Sequence, residues 1–195
     1  QSIQFTPMKK RIHLICTLLS MATAAAYACT SLLAGRKATT DGSTLITYAA
    51  DSHTLYGTLW LIPAADHPAG SFVEIRDCDT NKPLGKIPQV PHTYKVVGYM
   101  NEHQLSITES TFGGRPELVD TTGMIDYGTL MQLALQRATT AREAITVMTD
   151  LVSKYGYYSS GESFSIAAPA EVWTPEMAWT GGVASGACSV AGGRP

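Results

Sequence analysis

The sequence predicts an α+β fold in which helices cover one face of a largely antiparallel sheet. Short strands fill the first half of the chain, two amphipathic helices follow, and strands then resume. With 45% hydrophobic residues in 195, the chain can bury a full core as one domain or two small ones. A fibrous or disordered chain is therefore disfavoured.

The first half is rich in Tyr, Val, Ile and Thr, the residues that favour strands. The Asp41-Gly42 pair between two apolar runs predicts a β-hairpin. Further strands are expected at 54–62, 71–76, 94–98 and 104–110. Pro83, Pro88 and Pro91 predict a long loop between the second and third of these.

Two helices are predicted next, at 126–137 and 140–155. In the second helix, Thr140 and Glu143 match a capping box and Gly156 matches a C-terminal stop. Its apolar positions lie on one stripe: Ile145, Met148 and Val152. Strands are expected again at 164–167 and 171–173.

The charge balance argues against a nucleic-acid partner. Lys and Arg number 14 against 16 Asp and Glu, which gives a net charge of −2 with no basic field for phosphates. The sequence contains no C-x-x-C or H-E-x-x-H spacing. We therefore expect no metal ion and no organic cofactor.

The N-terminal segment is typical of a secretory signal. Residues 1–7 precede the first Met and are interpreted as upstream or non-native residues, and residues 8–28 as the signal peptide. A basic start, an apolar run and the triplet Ala26-Tyr27-Ala28 place the cleavage site before Cys29. The alternative is a membrane anchor, but a span needs about 20 strongly apolar residues and this run is shorter and diluted by polar ones. We expect an exported protein, in the periplasm or the medium.

The tail at 174–195 differs from the domain predicted at 29–173. It carries five glycines among Ala and Ser, without strand or helix periodicity. One interpretation is a flexible C-terminus; the other is a fragment end or a slipped reading frame. A domain that stops just after a new strand favours the second, because that strand needs a partner.

Cleavage at the predicted site makes Cys29 the first residue, so that a thiol and a free α-amine belong to one residue. The amine has a reference pKa near 7.7–8.0 and can accept the proton of a thiol whose reference pKa is about 8.5. Such a cysteine can attack an amide carbonyl, and its ammonium can protonate the leaving amine. Two alternatives remain: a lipidated cysteine, which Ala26 and Tyr27 match poorly, and an inert buried thiol.

Several stretches from Cys29 to about Trp173 resemble the C69 peptidases, which are cysteine dipeptidases of the N-terminal nucleophile superfamily. They are more distantly similar to bile-salt hydrolases and penicillin V acylases. The motifs are CTSLLAGRKATTDGS at 29–43, YAADSH at 48–53, GYMNEHQL at 98–105, TESTFGGR at 108–115 and SSGESFSIA at 159–167. The resemblance implies a four-layer αββα sandwich, with the alternative that the sandwich is incomplete here at its C-terminal end.

The resemblance also implies roles for three residues. Cys29 is the expected nucleophile, with its own α-amine as base. Asp51 matches the aspartate that holds the amine or thiol of the nucleophile, and the hairpin turn at Asp41-Gly42 brings its strand back beside Cys29. Asn101 matches an asparagine whose amide helps to form an oxyanion hole. Without the family, Asp51 and Asn101 would be interpreted as capping or turn residues.

One departure narrows the expected substrate. Bile-salt hydrolases have an arginine three positions before the aspartate, and this chain has Tyr48. We therefore expect an exported dipeptidase that hydrolyses short peptides. The alternatives are an amidase acting on non-peptide linear amides and a non-catalytic surface lipoprotein; the oligomeric state is left open.

Overall fold

The computed structural model describes residues 29–51, 57–179, 184–185 and 188–190. The predicted upstream residues and signal peptide, 1–28, lie outside the described residues, as does half of the predicted tail. Among the described residues, no helix is long and apolar enough to cross a membrane.

The predicted N-terminal hairpin is confirmed. Strand β1 (Thr30–Ala34) pairs antiparallel with β2 (Leu45–Ala49), in a register that sets Thr30 opposite Ala49. The turn adopts positive φ at Gly42 and is closed by the Asp41 carboxylate, which accepts hydrogen bonds from the backbone and hydroxyl of Ser43. Glycine suits this position because it has no Cβ to clash at positive φ.

A larger antiparallel sheet forms the centre of the described structure. Its strands are β3 (Leu61–Ile62), β8 (Val96–Val97), β9 (Met100–Asn101), β10 (Ser106–Gly113), β11 (Gly161–Ala168), β12 (Glu171–Trp179), β13 (Ala184–Ser185) and β14 (Cys188–Val190). Their order in the sheet is β13-β12-β11-β10-β9-β8-β3, with β14 also paired to β12. Two small ribbons stand beside it: β4 (Ala65–Asp66) with β7 (His92–Thr93), and β5 (Phe72–Arg76) with β6 (Pro83–Pro88).

The prediction of a proline-rich loop after Arg76 is wrong in part, because strand β6 begins at Pro83 and ends at Pro88. A proline lacks only the donor of one ladder bond, so it is tolerated at the end of a two-stranded ribbon. The strand predicted at 94–98 is shortened to β8. Of the strand predicted at 54–62, residues 52–56 lie outside the described residues and only Leu61–Ile62 pairs.

Both predicted helices are confirmed, each one residue shorter at its start. Helix α1 (Tyr127–Arg137) is capped by the Asp126 side chain, and helix α2 (Ala141–Tyr155) by that of Thr140. The capping box is modified: the Glu143 carboxylate accepts from the backbone and hydroxyl of Thr139 rather than from the backbone of Thr140. The expected stop at Gly156 has positive φ.

The sheet separates the hairpin from the helices. On one face of β10, the Thr108 hydroxyl lies 3.1 Å from that of Ser31, and the Ser110 hydroxyl donates to the backbone carbonyl of Cys29. Alternate residues of a strand face opposite sides, and Ile107 accordingly lies in the same buried cluster as Leu130 of α1. The described residues thus form three layers: hairpin, sheet and helices. They confirm the α+β class, while the four-layer αββα sandwich stays an expectation.

The boundary predicted at residue 173 falls inside strand β12, which continues to Trp179. Residues 184–185 and 188–190 of the predicted tail pair with this strand. The strand at the end of the predicted domain therefore has partners. Sequence periodicity missed them because both partner strands are only two or three residues long.

We expect replacement of Phe164 by Ala to lower the free energy of unfolding by about 3–5 kcal/mol, because its ring is fully buried between the sheet and the helices. Phe72, which is 64% exposed on β5, offers the matched control, and Phe72→Ala should cost less than about 1 kcal/mol. Urea unfolding followed by circular dichroism measures both. Equal losses in the two variants would contradict the assigned core.

Candidate active site

Cys29 lies immediately before strand β1 and is half-buried. Its backbone carbonyl accepts a hydrogen bond from the Ser110 hydroxyl at 2.5 Å, which ties the start of the hairpin to strand β10. Its side chain is a free thiol, 3.7 Å from the hydroxyl of Tyr48 on β2. The first residue of the predicted domain is therefore anchored at both its backbone and its side chain.

Opposing effects act on the pKa of the Cys29 thiol. Burial raises the pKa above its ordinary value, and the nearby Glu109 carboxylate raises it further. The hydrogen bond from the Asp51 backbone N–H lowers it because it favours the thiolate, and the contact with the Tyr48 hydroxyl lowers it as well. Burial is the largest effect, so the thiol is held protonated and needs a base before it can attack.

Asp51 lies beside Cys29, as the hairpin predicted. The contact runs through the backbone N–H of Asp51, which hydrogen-bonds to the thiol, while the residue itself is exposed. The position of the residue thus agrees with the sequence interpretation. The role expected for its carboxylate stays a prediction.

Two glutamates lie behind Tyr48. The Tyr48 hydroxyl donates a hydrogen bond to the Glu109 carboxylate at 2.5 Å. The Thr111 hydroxyl lies 2.9 Å from Glu162 and 3.4 Å from Glu109, and so bridges the two carboxyl groups. Glu109 is 2% exposed and Glu162 is 1% exposed. A chain of polar contacts therefore leads from the thiol into the interior of the protein.

Glu162 is held protonated beside Glu109. Burial and the adjacent Glu109 carboxyl together raise the pKa of Glu162 to about 9. Apart from Glu109, the second oxygen of Glu162 has no hydrogen-bond partner among the described residues. Protonation of Glu162 supplies the hydrogen that two neighbouring carboxyl groups need in order to lie side by side.

Asn101 occupies a structural position between β9 and β10. Its side-chain amide donates to the backbone carbonyls of Leu135 and Ala138, and its side-chain oxygen accepts from the backbone of His103 and Leu105. Both amide hydrogens are therefore engaged at the end of helix α1. The oxyanion-hole role of Asn101 stays a prediction, and these hydrogen bonds favour a role in joining the sheet to the helix.

A cavity of about 670 Å³ adjoins this site. Tyr48, Trp60, Tyr99 and Thr108 are among the residues that line it. The Tyr99 ring packs edge-to-face against Tyr48 at 5.4 Å and against Trp60 at 6.1 Å between ring centroids. The cavity combines an aromatic wall with the hydroxyl groups of Tyr48 and Thr108, an arrangement typical of sites for small organic ligands, and Tyr48 links it to Cys29.

Within the part of the chain that the structure describes, no group of three or more His, Cys, Asp or Glu is arranged to hold a metal ion. The reactive groups at this site are a thiol, a phenol and two carboxyls. They are suited to proton transfer and nucleophilic attack by the side chains themselves.

Sequence reasoning missed the roles of Tyr48, Glu109 and Glu162. All three lie within the motifs that carry the resemblance, and Tyr48 was noted only as a departure from the bile-salt hydrolases. One signal was available: Glu109 is an acidic residue within the strand predicted at 104–110, and Glu162 lies two positions before the strand predicted at 164–167. An ionisable group in such a position is a candidate for function.

The model of peptidase family C69 matches residues 28–188, which is most of the chain. The protein belongs to peptidase family C69. Membership confirms the resemblance and supports a cysteine peptidase, a hydrolase whose substrates are peptides. As a C69 peptidase, the protein contains Cys29, Tyr48, Glu109 and Glu162 within the matched region.

We expect Asn101→Ala to destabilise the protein by about 2–4 kcal/mol, because it leaves two buried carbonyls and a buried backbone N–H without partners. Thermal unfolding measures the loss. The turnover number of the folded fraction, counted by titration of its thiol, should stay within a few-fold of wild type. A drop of 100-fold or more in that turnover number would instead support the oxyanion-hole role.

We expect the free energy of unfolding to fall as pH rises from about 5 towards 9, by up to about 1.4 kcal/mol per pH unit. The folded pKa of Glu162 lies above its unfolded value, so its protonated form stabilises the fold at low pH and that contribution is lost through about pH 9. Glu162→Gln keeps the size of the protonated acid and should flatten the profile.

The exposed Asp150 on α2 provides the control for this titration, and Asp150→Asn should leave the profile unchanged. Urea unfolding at intervals of one pH unit gives all three curves. A Glu162→Gln profile as steep as that of the wild type would show that another group titrates.

Proposed function

We propose that this C69 peptidase is an exported dipeptidase in which Cys29, freed by signal cleavage, is an N-terminal nucleophile. The observation that carries the proposal is the contact between the Cys29 thiol and Tyr48, a residue that lines the 670 Å³ cavity. Family membership supports peptide hydrolysis. The cavity volume lies in the range of small-ligand sites and suits a short peptide.

In the proposed reaction, the neutral α-amine of Cys29 takes the thiol proton, and the thiolate attacks the scissile carbonyl carbon. The ammonium then returns the proton to the leaving amine as the C–N bond breaks, which leaves a thioester on Cys29. Water attacks the thioester, and the thiol and the free acid are released. The Asp51 carboxylate would stabilise the ammonium during these steps.

The burial of Cys29 explains why a base at the same residue is needed. Because burial raises the pKa of the thiol, little thiolate exists at neutral pH without a proton acceptor. While residue 28 is attached, the nitrogen of Cys29 is an amide and cannot accept a proton. In this proposal, cleavage before Cys29 creates the base and so switches on the nucleophile.

We expect Cys29→Ala to abolish dipeptide hydrolysis while leaving the fold intact, since only the nucleophile is removed. Cys78→Ala serves as the matched control, because Cys78 is a second free thiol that does not contact Cys29 in the hairpin and should be dispensable. Release of free amino acids from an unmodified dipeptide measures turnover. Residual activity of Cys29→Ala above 1% of wild type would contradict the proposed mechanism.

Intact mass and N-terminal sequencing of the protein exported by its host test the processing step. The expected result is a chain that begins with unmodified Cys29. A lipid mass on Cys29 or an uncleaved leader would leave no free amine and would contradict the proposal. Faster hydrolysis of penicillin V or conjugated bile acids than of dipeptides would move the assignment to the amidase alternative.

A further inference from the structure

Two buried carboxyl groups lie beside Cys29, and neither has a cationic partner among the described residues. Glu109 and Glu162 are almost fully buried, and no ion pair joins either of them to a Lys, Arg or His among the described residues. An unpaired charge in a protein interior is costly, because the protein replaces little of its hydration. A positive group that enters the site would therefore be bound strongly.

Glu109 is the carboxyl group of the pair that faces the site, since it accepts a hydrogen bond from the Tyr48 hydroxyl. Burial and the adjacent Glu109 raise the pKa of Glu162 to about 9, so Glu162 keeps its proton at neutral pH. Among the described residues, the titratable groups that interact with the pair are neutral or acidic: Cys29, Tyr48, Asp79, Tyr99 and Tyr157. None of these neighbours can supply the missing positive charge.

The wall of the cavity is also suited to a cation. Tyr48, Tyr99 and Trp60 pack edge-to-face along it. Aromatic faces attract ammonium groups through their quadrupoles, an interaction that strengthens where water is excluded. This is a second feature, independent of the carboxylates, that favours a positively charged ligand.

The proximity of Glu109 to Cys29 indicates which ammonium group of a substrate can bind to Glu109. Glu109 is close enough to interact directly with the Cys29 thiol and accepts a hydrogen bond from Tyr48, which also contacts that thiol. In a peptide with a free amino end, the α-ammonium nitrogen is only two bonds from the first carbonyl carbon. When Cys29 attacks that carbonyl, the α-ammonium comes within reach of Glu109.

We propose that Glu109 determines specificity by binding the free α-ammonium group of the substrate, so that the enzyme cleaves the first peptide bond of unblocked peptides. This assignment rests on the proposed function and names its substrate class. The α-ammonium of Cys29 is a second positive group that could bind Glu109. In the proposed function, the Asp51 carboxylate stabilises that group, so Glu109 is available to bind the α-ammonium of the substrate.

The test compares kcat/KM at pH 7 for a dipeptide with that for its N-acetyl derivative. The wild type should prefer the free dipeptide by roughly 100-fold, as expected for a buried charge pair. Glu109→Gln should lose most of that preference through a higher KM for the free dipeptide, whereas any effect of the substitution on the Cys29 thiol should change both rates alike. Propylammonium should compete with the free dipeptide in the wild type and not in Glu109→Gln.

The matched control is Glu74→Gln, which removes an exposed carboxylate on β5 and should leave both rates unchanged. Equal wild-type rates on the two substrates would overturn the assignment, even if Glu109→Gln does not fold. If Glu109→Gln lowers kcat/KM equally for both substrates, the assignment is overturned, because Glu109 then acts on the Cys29 amine and not on the substrate. Absence of any peptide hydrolysis by the wild type would instead contradict the proposed function itself.

Discussion

The antiparallel register of the β1–β2 hairpin determines which groups surround Cys29. With Thr30 opposite Ala49, the residue before β1 lies beside the residues at the end of β2. Tyr48 reaches the thiol with its hydroxyl and Asp51 with its backbone N–H. A shift of the register by one residue would turn Tyr48 to the other face of the hairpin, because side chains alternate along a strand.

The same hairpin is held against the central sheet by polar contacts. The Ser110 hydroxyl binds the carbonyl of Cys29, and the hydroxyls of Ser31 and Thr108 meet between the layers. Small polar residues on this face of β10 allow the hairpin to approach closely. The opposite face of β10 contributes Ile107 to the core beneath the helices. Strand β10 therefore belongs to both the core and the site.

Glu109 is the residue of β10 that belongs to both the buried interior and the site. It lies on a strand whose neighbouring residues are buried, yet its carboxylate reaches Tyr48 and the nucleophile. The fold accommodates a second carboxyl, Glu162, by keeping it protonated beside the first. Such a pair adds little to stability, so its presence at the nucleophile is better explained by binding or chemistry than by folding.

The sequence by itself determined the hairpin and both helices, and it singled out Cys29 as the residue we propose as nucleophile. Each has a local cause: Gly42 tolerates positive φ, Asp126 and Thr140 cap helices, and Cys29 follows a cleavage pattern. Short strands such as β13 and β14 escaped prediction, because two or three residues carry no periodicity and their pairing depends on distant partners.

Only the tertiary structure decided the composition of the site around Cys29. Glu109 and Glu162 are 53 positions apart in sequence, and antiparallel pairing of β10 with β11 sets Thr111 opposite Glu162. Asn101 has the residue type of an oxyanion donor, but the helix carbonyls that take up its amide hydrogens lie more than 30 residues away. The physical reason is general: a residue type defines what a side chain can donate or accept, whereas long-range packing decides which partners it meets.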